Sequence, residues 1–193
     1  MVGAIKQNET SSKVHPLKFA LWLIIVSIIM MFAAWTSAYI VRKEEGNWLD
    51  FSLPGNLIVN TVIIVISSVF MQLAYGAAKK DELAKLKLYL IGTFVAGLGF
   101  LLGQWQAWSD LVDRKIFFGG SDSNPSGSFL YVLTGVHGFH LITGLIFVLI
   151  VLISSHQFKV HSRNMLRIEL CTTYWHFLGA LWVYLFAFLS MNH

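Results

Sequence analysis

An all-α integral membrane bundle of five transmembrane helices, one domain over residues 1–193, is the architecture this sequence predicts. Three observations lead there. The chain is 56% hydrophobic and 12% charged, whereas a soluble domain carries roughly 25% charged residues. Its mean hydropathy is +0.65, so lipid is the expected solvent. Five apolar runs have no charge at their centres and exceed the ~20 residues needed to cross a hydrocarbon core.

The runs cover residues 17–41, 56–78, 88–111, 129–155 and 169–191. Helices are required because lipid offers no partner to a free backbone N–H or C=O, and a barrel would show alternating segments of about 10 residues instead. The connections read as loops on their own chemistry. Four consecutive charges, Arg42 to Glu45, precede the Pro54–Gly55 pair, residues 119–127 read GGSDSNPSG, and residues 79–87 and 156–168 are basic.

Charge gives orientation. Lys6, Lys13, Lys18, Lys79, Lys80, Lys85, Lys87, Lys159, Arg163 and Arg167 share one side, and only Arg42, Lys43, Arg114 and Lys115 lie on the other. Basic loops stay on the cytoplasmic side, which places the N-terminus in the cytoplasm and the C-terminus outside. The net charge of +4 is therefore a topology signal, and nucleic-acid binding is not needed to explain it. The apolar run of the first span is too long for a cleaved signal peptide, whose core is about 7–15 residues. Trp22, Trp35, Tyr39, Trp48, Trp105, Trp108, Tyr131, Tyr174 and Trp175 lie toward span ends, where aromatic belts are expected. One cysteine, Cys171, excludes an internal disulfide.

Packing faces in lipid are marked by small and polar residues. Gly92, Ala96, Gly99, Gly103 and Ala107 fall on one face of the third span, with Gly99–Gly103 a GxxxG pair. The fourth span carries Thr134, His137, His140 and Gly144 in a row. The fifth carries Glu169, Thr172 or Thr173, His176, Ala180 and Val183. Helix rise puts His140 and His176 within about 4 Å of one level, so a meeting between them is expected. Membrane-buried histidines serve as packing residues with satisfied hydrogen bonds, as proton relays or as haem and metal ligands. A haem b anchor transferring electrons through His140 and His176 is one reading, and a small transporter is another. No phosphate loop, nucleophile elbow or zinc-protease helix is present.

Two stretches extend the reading. TGVHGFHLITG at 134–144 resembles the TGxHGxHxxxG signature of subunit III of haem–copper terminal oxidases. ELCTTYWHFLGALWVYLF at 169–186 resembles that family's ExxxxYWHFxDxxWxxLF segment, with seven residues from Glu169 to His176. Gln104 with Trp108, Gly127–Phe129 and Tyr39–Arg42 agree more weakly. The resemblance covers all five spans and implies the five-helix form.

What the resemblance implies is a non-catalytic accessory subunit of a proton-pumping oxidase that reduces oxygen to water, in a bacterial-type inner membrane. No cofactor or metal is expected in this chain, with haem and copper in the partner subunits I and II and bound phospholipid in a cleft. A larger respiratory supercomplex is a further implied partner. His137, His140, Glu169, Trp175 and His176 would form an internal hydrogen-bonded set, and Arg42 is a further structural or lipid-cleft candidate. The family includes cytochrome c oxidases, quinol oxidases and a nitric-oxide-reductase-associated relative. Three carboxylates of the pattern are missing. Ser27 is followed by Ile28, Ala107 stands for the Glu of QxxEW, and Gly179 for the Asp of YWHFxD.

Overall fold

The computed structural model describes residues 15–49, 51–120, 123–157 and 164–192. Among these, five helices are long and apolar enough to cross a membrane: α1 Pro16–Glu44, α2 Asn56–Lys79, α3 Leu83–Asp113, α4 Pro125–His156 and α5 Leu166–Asn192. Each contains its predicted span and overruns it by one to several residues. The predicted ends followed the apolar run, but a helix satisfies its own backbone and continues into the headgroup zone. Two expected loops shrink accordingly. Residues 79–87 reduce to a turn before Leu83, and 119–127 ends at Pro125.

The helix ends have identifiable causes. Pro16 and Pro125 occupy the first turns of α1 and α4, where a missing N–H costs nothing. Asn124 caps α4 by accepting from Ser126 N at 3.1 Å. The same side chain accepts from Leu49 N and donates to Asn47 O, while Arg114 donates to Ser52 O and Oγ. The α1–α2 and α3–α4 connections are thereby sewn together on one side. Between α2 and α3, Asp81 takes a positive φ of 56°, and Glu82 N reaches back to Ala77 O at 3.0 Å. The Glu82 carboxyl is held below its ordinary range by a hydrogen bond from Lys85.

Helices α2, α3, α4 and α5 close a four-membered ring, with α2–α3 the most extensive contact and α3–α4, α4–α5 and α5–α2 completing it. Helix α1 lies outside this ring, against α4 and α5 only. The ring is filled by Ile64, Met71, Leu90, Phe100, Leu133, Leu141, Trp175, Leu178 and Trp182. Much of the outer surface is apolar, with Leu102, Val95, Ile58 and Met30 exposed, as lipid-facing helices require.

The aromatic residues divide. Trp22 and Trp105 face outward at 57% and 70% exposure, in keeping with a belt. Tyr39, Tyr174 and Trp175 are buried and depart from that expectation. Tyr39 sits edge-on to Trp48, Phe129 and Phe188, a packing core rather than an anchor. Of the basic residues used for orientation, Lys6, Lys13, Lys159 and Arg163 lie outside the described residues.

Candidate functional site

Trp175 organises the ring interior. Its indole crosses from α5 into a slot between α3 and α4 that glycines keep open. A Cβ at Gly97 would lie 2.8 Å from the indole and 2.7 Å from Leu145, and one at Gly144 would lie 2.8 Å from Leu178 and 3.3 Å from the indole. Trp175 Nε1 donates to Ser67 Oγ of α2 at 3.1 Å, and Ser67 donates onward to Thr93 O of α3 at 3.2 Å. One side chain thus touches all four ring helices. Sequence reading missed Gly97, because its neighbour row of small residues held the longer periodic run.

That row, Gly92, Ala96, Gly99, Gly103 and Ala107, is divided in the structure. Gly92 lies against the Phe70 ring, and Gly103 makes room for the Asn60 side chain, both on α2. Ala107 is buried. A Cβ at Gly99 would meet nothing within 4 Å, and Ala96 is only half-buried. The buried stripe of α3 runs instead through Leu90, Thr93, Gly97, Phe100 and Gln104.

The candidate set does not form one network. Glu169 pairs with Lys18 of α1 at 2.9 Å, with both side chains more than a third exposed. His176 turns toward α2, its Nδ1 2.8 Å from Ser68 Oγ and its Nε2 3.1 Å from Gln72 Oε1. His140 Nδ1 lies 2.8 Å from the Val136 carbonyl, which only accepts, so Nδ1 carries the proton. The His140 ring meets Phe32 of α1. His137 is fully buried and stacks near Phe100 and Trp182. Arg42 is bonded locally to Glu45 and Gly46 at the end of α1.

The expected meeting of His140 and His176 therefore fails. One imidazole meets Phe32 of α1 and the other bonds to α2, so the two do not face each other as axial ligands of one haem. The haem-anchor reading loses its ligand pair. The α5 seam also rotates, since Ala180 and Val183 are exposed and the interior face is Trp175, Leu178, Gly179, Trp182 and Leu185. Bulk decided that face, and the sequence reading weighed polarity. Among the described residues no group of three or more His, Cys, Asp or Glu side chains is placed to hold a metal ion.

Between α1 and the α4–α5 pair runs a groove of about 560 Å³. Its walls are apolar (Leu21, Ile24, Ile28, Phe147), with a polar strip of Ser27, His140, Thr143 and Tyr174. Thr143 Oγ1 and Tyr174 OH are 2.9 Å apart, and Thr143 also donates to His140 O.

The sequence profile described as cytochrome c oxidase subunit III matches residues 1–192. The chain belongs to the cytochrome c oxidase subunit III family. It is 32% identical to the cytochrome c oxidase subunit 3 of Synechocystis over 177 residues, 87% of this chain and 72% of that one. It is also 32% identical to a probable cytochrome c oxidase subunit 3 of Nocardia farcinica, over 86% and 82% of the two chains. A cytochrome bo(3) ubiquinol oxidase subunit 3 of Buchnera aphidicola is 26% identical over 96% and 92%. With five spanning helices, this subunit III protein is an integral inner-membrane protein. Of the three positions the resemblance singled out for a missing carboxylate, Ile28 and Ala107 are buried, and a Cβ at Gly179 would face Ser68 and Ile64.

Proposed function

We propose that this chain is a haem-free accessory subunit of a proton-pumping haem–copper terminal oxidase, docked on subunit I within a complex that also holds subunit II. The observation that carries the reading is the family match over residues 1–192, joined to the separate contacts of His140 toward α1 and of His176 toward α2. Phospholipid acyl chains occupy the α1 groove, whose apolar walls and single polar strip suit a lipid. The chain stabilises the catalytic subunit and organises lipid around it, and the complex assembles into a larger respiratory supercomplex. Support for proton uptake by this chain is indirect, since buried carboxylates are absent at Ile28, Ala107 and Gly179. The N-terminus is cytoplasmic, as the segregation of basic residues favours.

Co-purification tests the reading. The chain is tagged at its native locus, extracted in mild detergent, and its stoichiometric partners are identified by mass spectrometry. A haem–copper catalytic subunit is the expected partner. A chain recovered alone, or with a dehydrogenase, contradicts the proposal.

A further inference from the structure

Seven buried side-chain nitrogen and oxygen atoms among the described residues have no hydrogen-bond partner within the protein, and five of them belong to Asn60, Gln104 and His137. These residues are 1%, 2% and 0% exposed and come from three different helices. Buried polar groups are almost always satisfied, and an orphan costs about 1–3 kcal/mol. Five such atoms on three helices of one ring call for a common explanation.

Shared neighbours place them within about one helical turn of each other inside the ring. The His137 ring is 5.8 Å from Phe100 and 5.2 Å from Trp182, and Phe100 and Trp182 are 4.7 Å apart. Gln104 follows Phe100 by one turn on α3. The Asn60 side chain lies over Gly103, the residue before Gln104, where a Cβ would collide with its amide. Trp182 Nε1 donates to Thr61 Oγ1, next in sequence to Asn60, at 3.0 Å.

We propose that Asn60, Gln104 and His137 form an internal water-binding site that bridges α2, α3 and α4 beneath Trp182. The chemistry selects water. Gln104 offers a carbonyl acceptor and an N–H donor, Asn60 an N–H donor, and neutral His137 one of each. No charged side chain is among them, so neither an anion nor a cation is matched. A ligand that both donates and accepts satisfies the set, and buried waters make about three such bonds. The glycine at 103 gives Asn60 its place against α3.

The test uses the intact oxidase complex. A cryo-EM map that resolves ordered water is expected to show density within hydrogen-bonding distance of Asn60 Nδ2, the Gln104 amide and a His137 ring nitrogen. Absence of density, with the two amides paired directly to each other, overturns the site. Gln104→Leu and His137→Phe supply an independent readout with opposite signs. If water bridges these groups, each substitution lowers the midpoint for thermal release of the subunit by about 2–4 °C, and the double variant loses less than the sum. If the groups are unsatisfied, apolar replacement removes a desolvation penalty and the midpoint stays level or rises. That result also overturns the proposal.

Discussion

Trp175 is where one side chain carries most of the packing. Truncation to Ala opens a cavity bordered by four helices and is expected to cost about 3–5 kcal/mol, read as loss of assembled subunit after detergent extraction. Trp175→Phe keeps most of the volume and removes the bond to Ser67, so its effect should be much smaller, nearer the ~0.6 kcal/mol average for a hydrogen bond in a membrane bundle. If both variants behave alike, the slot is not a packing device. The two small-residue positions of the GxxxG pair separate in the same way. Gly103→Leu would drive a side chain into Asn60, whereas Gly99→Leu projects into open space. The first should reduce recovery of folded protein and the second should leave it unchanged, unless Gly99 docks the partner subunit, which co-purification yield would reveal. The polar side chains themselves were legible in the sequence, because polar residues in apolar runs stand out. Their partners were not. Helix rise puts His140 and His176 near one level, yet 3.6-residue periodicity over short segments does not fix which neighbour each helix turns toward.

At the scale of the element, α1 differs from the rest. It touches α4 and α5 only and is held at its two ends. Lys18 pairs with Glu169 at one end, while Tyr39 and Lys43 donate to Asn192 O at the other. One turn before Tyr39, Thr36 Oγ1 and Tyr184 OH are 3.2 Å apart. The Lys18–Glu169 pair is well exposed, so Lys18→Ala should change thermal stability by less than about 1 kcal/mol. A larger loss would mean that lipid or a partner buries the pair. The groove beside α1 gives a second check. Ser27→Trp fills the space between Ile24, His140 and Thr143, and phosphate analysis of the purified complex should find less tightly bound phospholipid. Unchanged lipid content would remove the groove from consideration as a lipid site. The existence of the five helices was readable from hydropathy alone, because lipid leaves the backbone one solution. Their ends were less so. The sequence marks where apolar residues stop, and caps such as Asn124 and the positive φ at Asp81 set where helices stop.

For the whole molecule, the ring of α2 to α5 with α1 outside it was not legible, because every helix is apolar on nearly all sides and bulk rather than amphipathicity chooses the inner face. The family, in contrast, was legible from two motifs, TGVHGFHLITG and ELCTTYWHF. Their residues do separate jobs: Trp175 locks the ring, His137 lies inside it, His140 borders the groove beside α1, and Glu169 pairs with Lys18 of α1. The histidines of the two motifs are thus dispersed over separate contacts rather than gathered at one centre. The most direct measurement compares the oxidase purified with and without this chain, by reduced-minus-oxidised spectrum and by activity during sustained turnover. Identical haem bands are expected, with a preparation lacking the chain that starts at near-normal rate and inactivates sooner. Loss of a haem b band together with the chain, or of that band on His176→Ala, would contradict it.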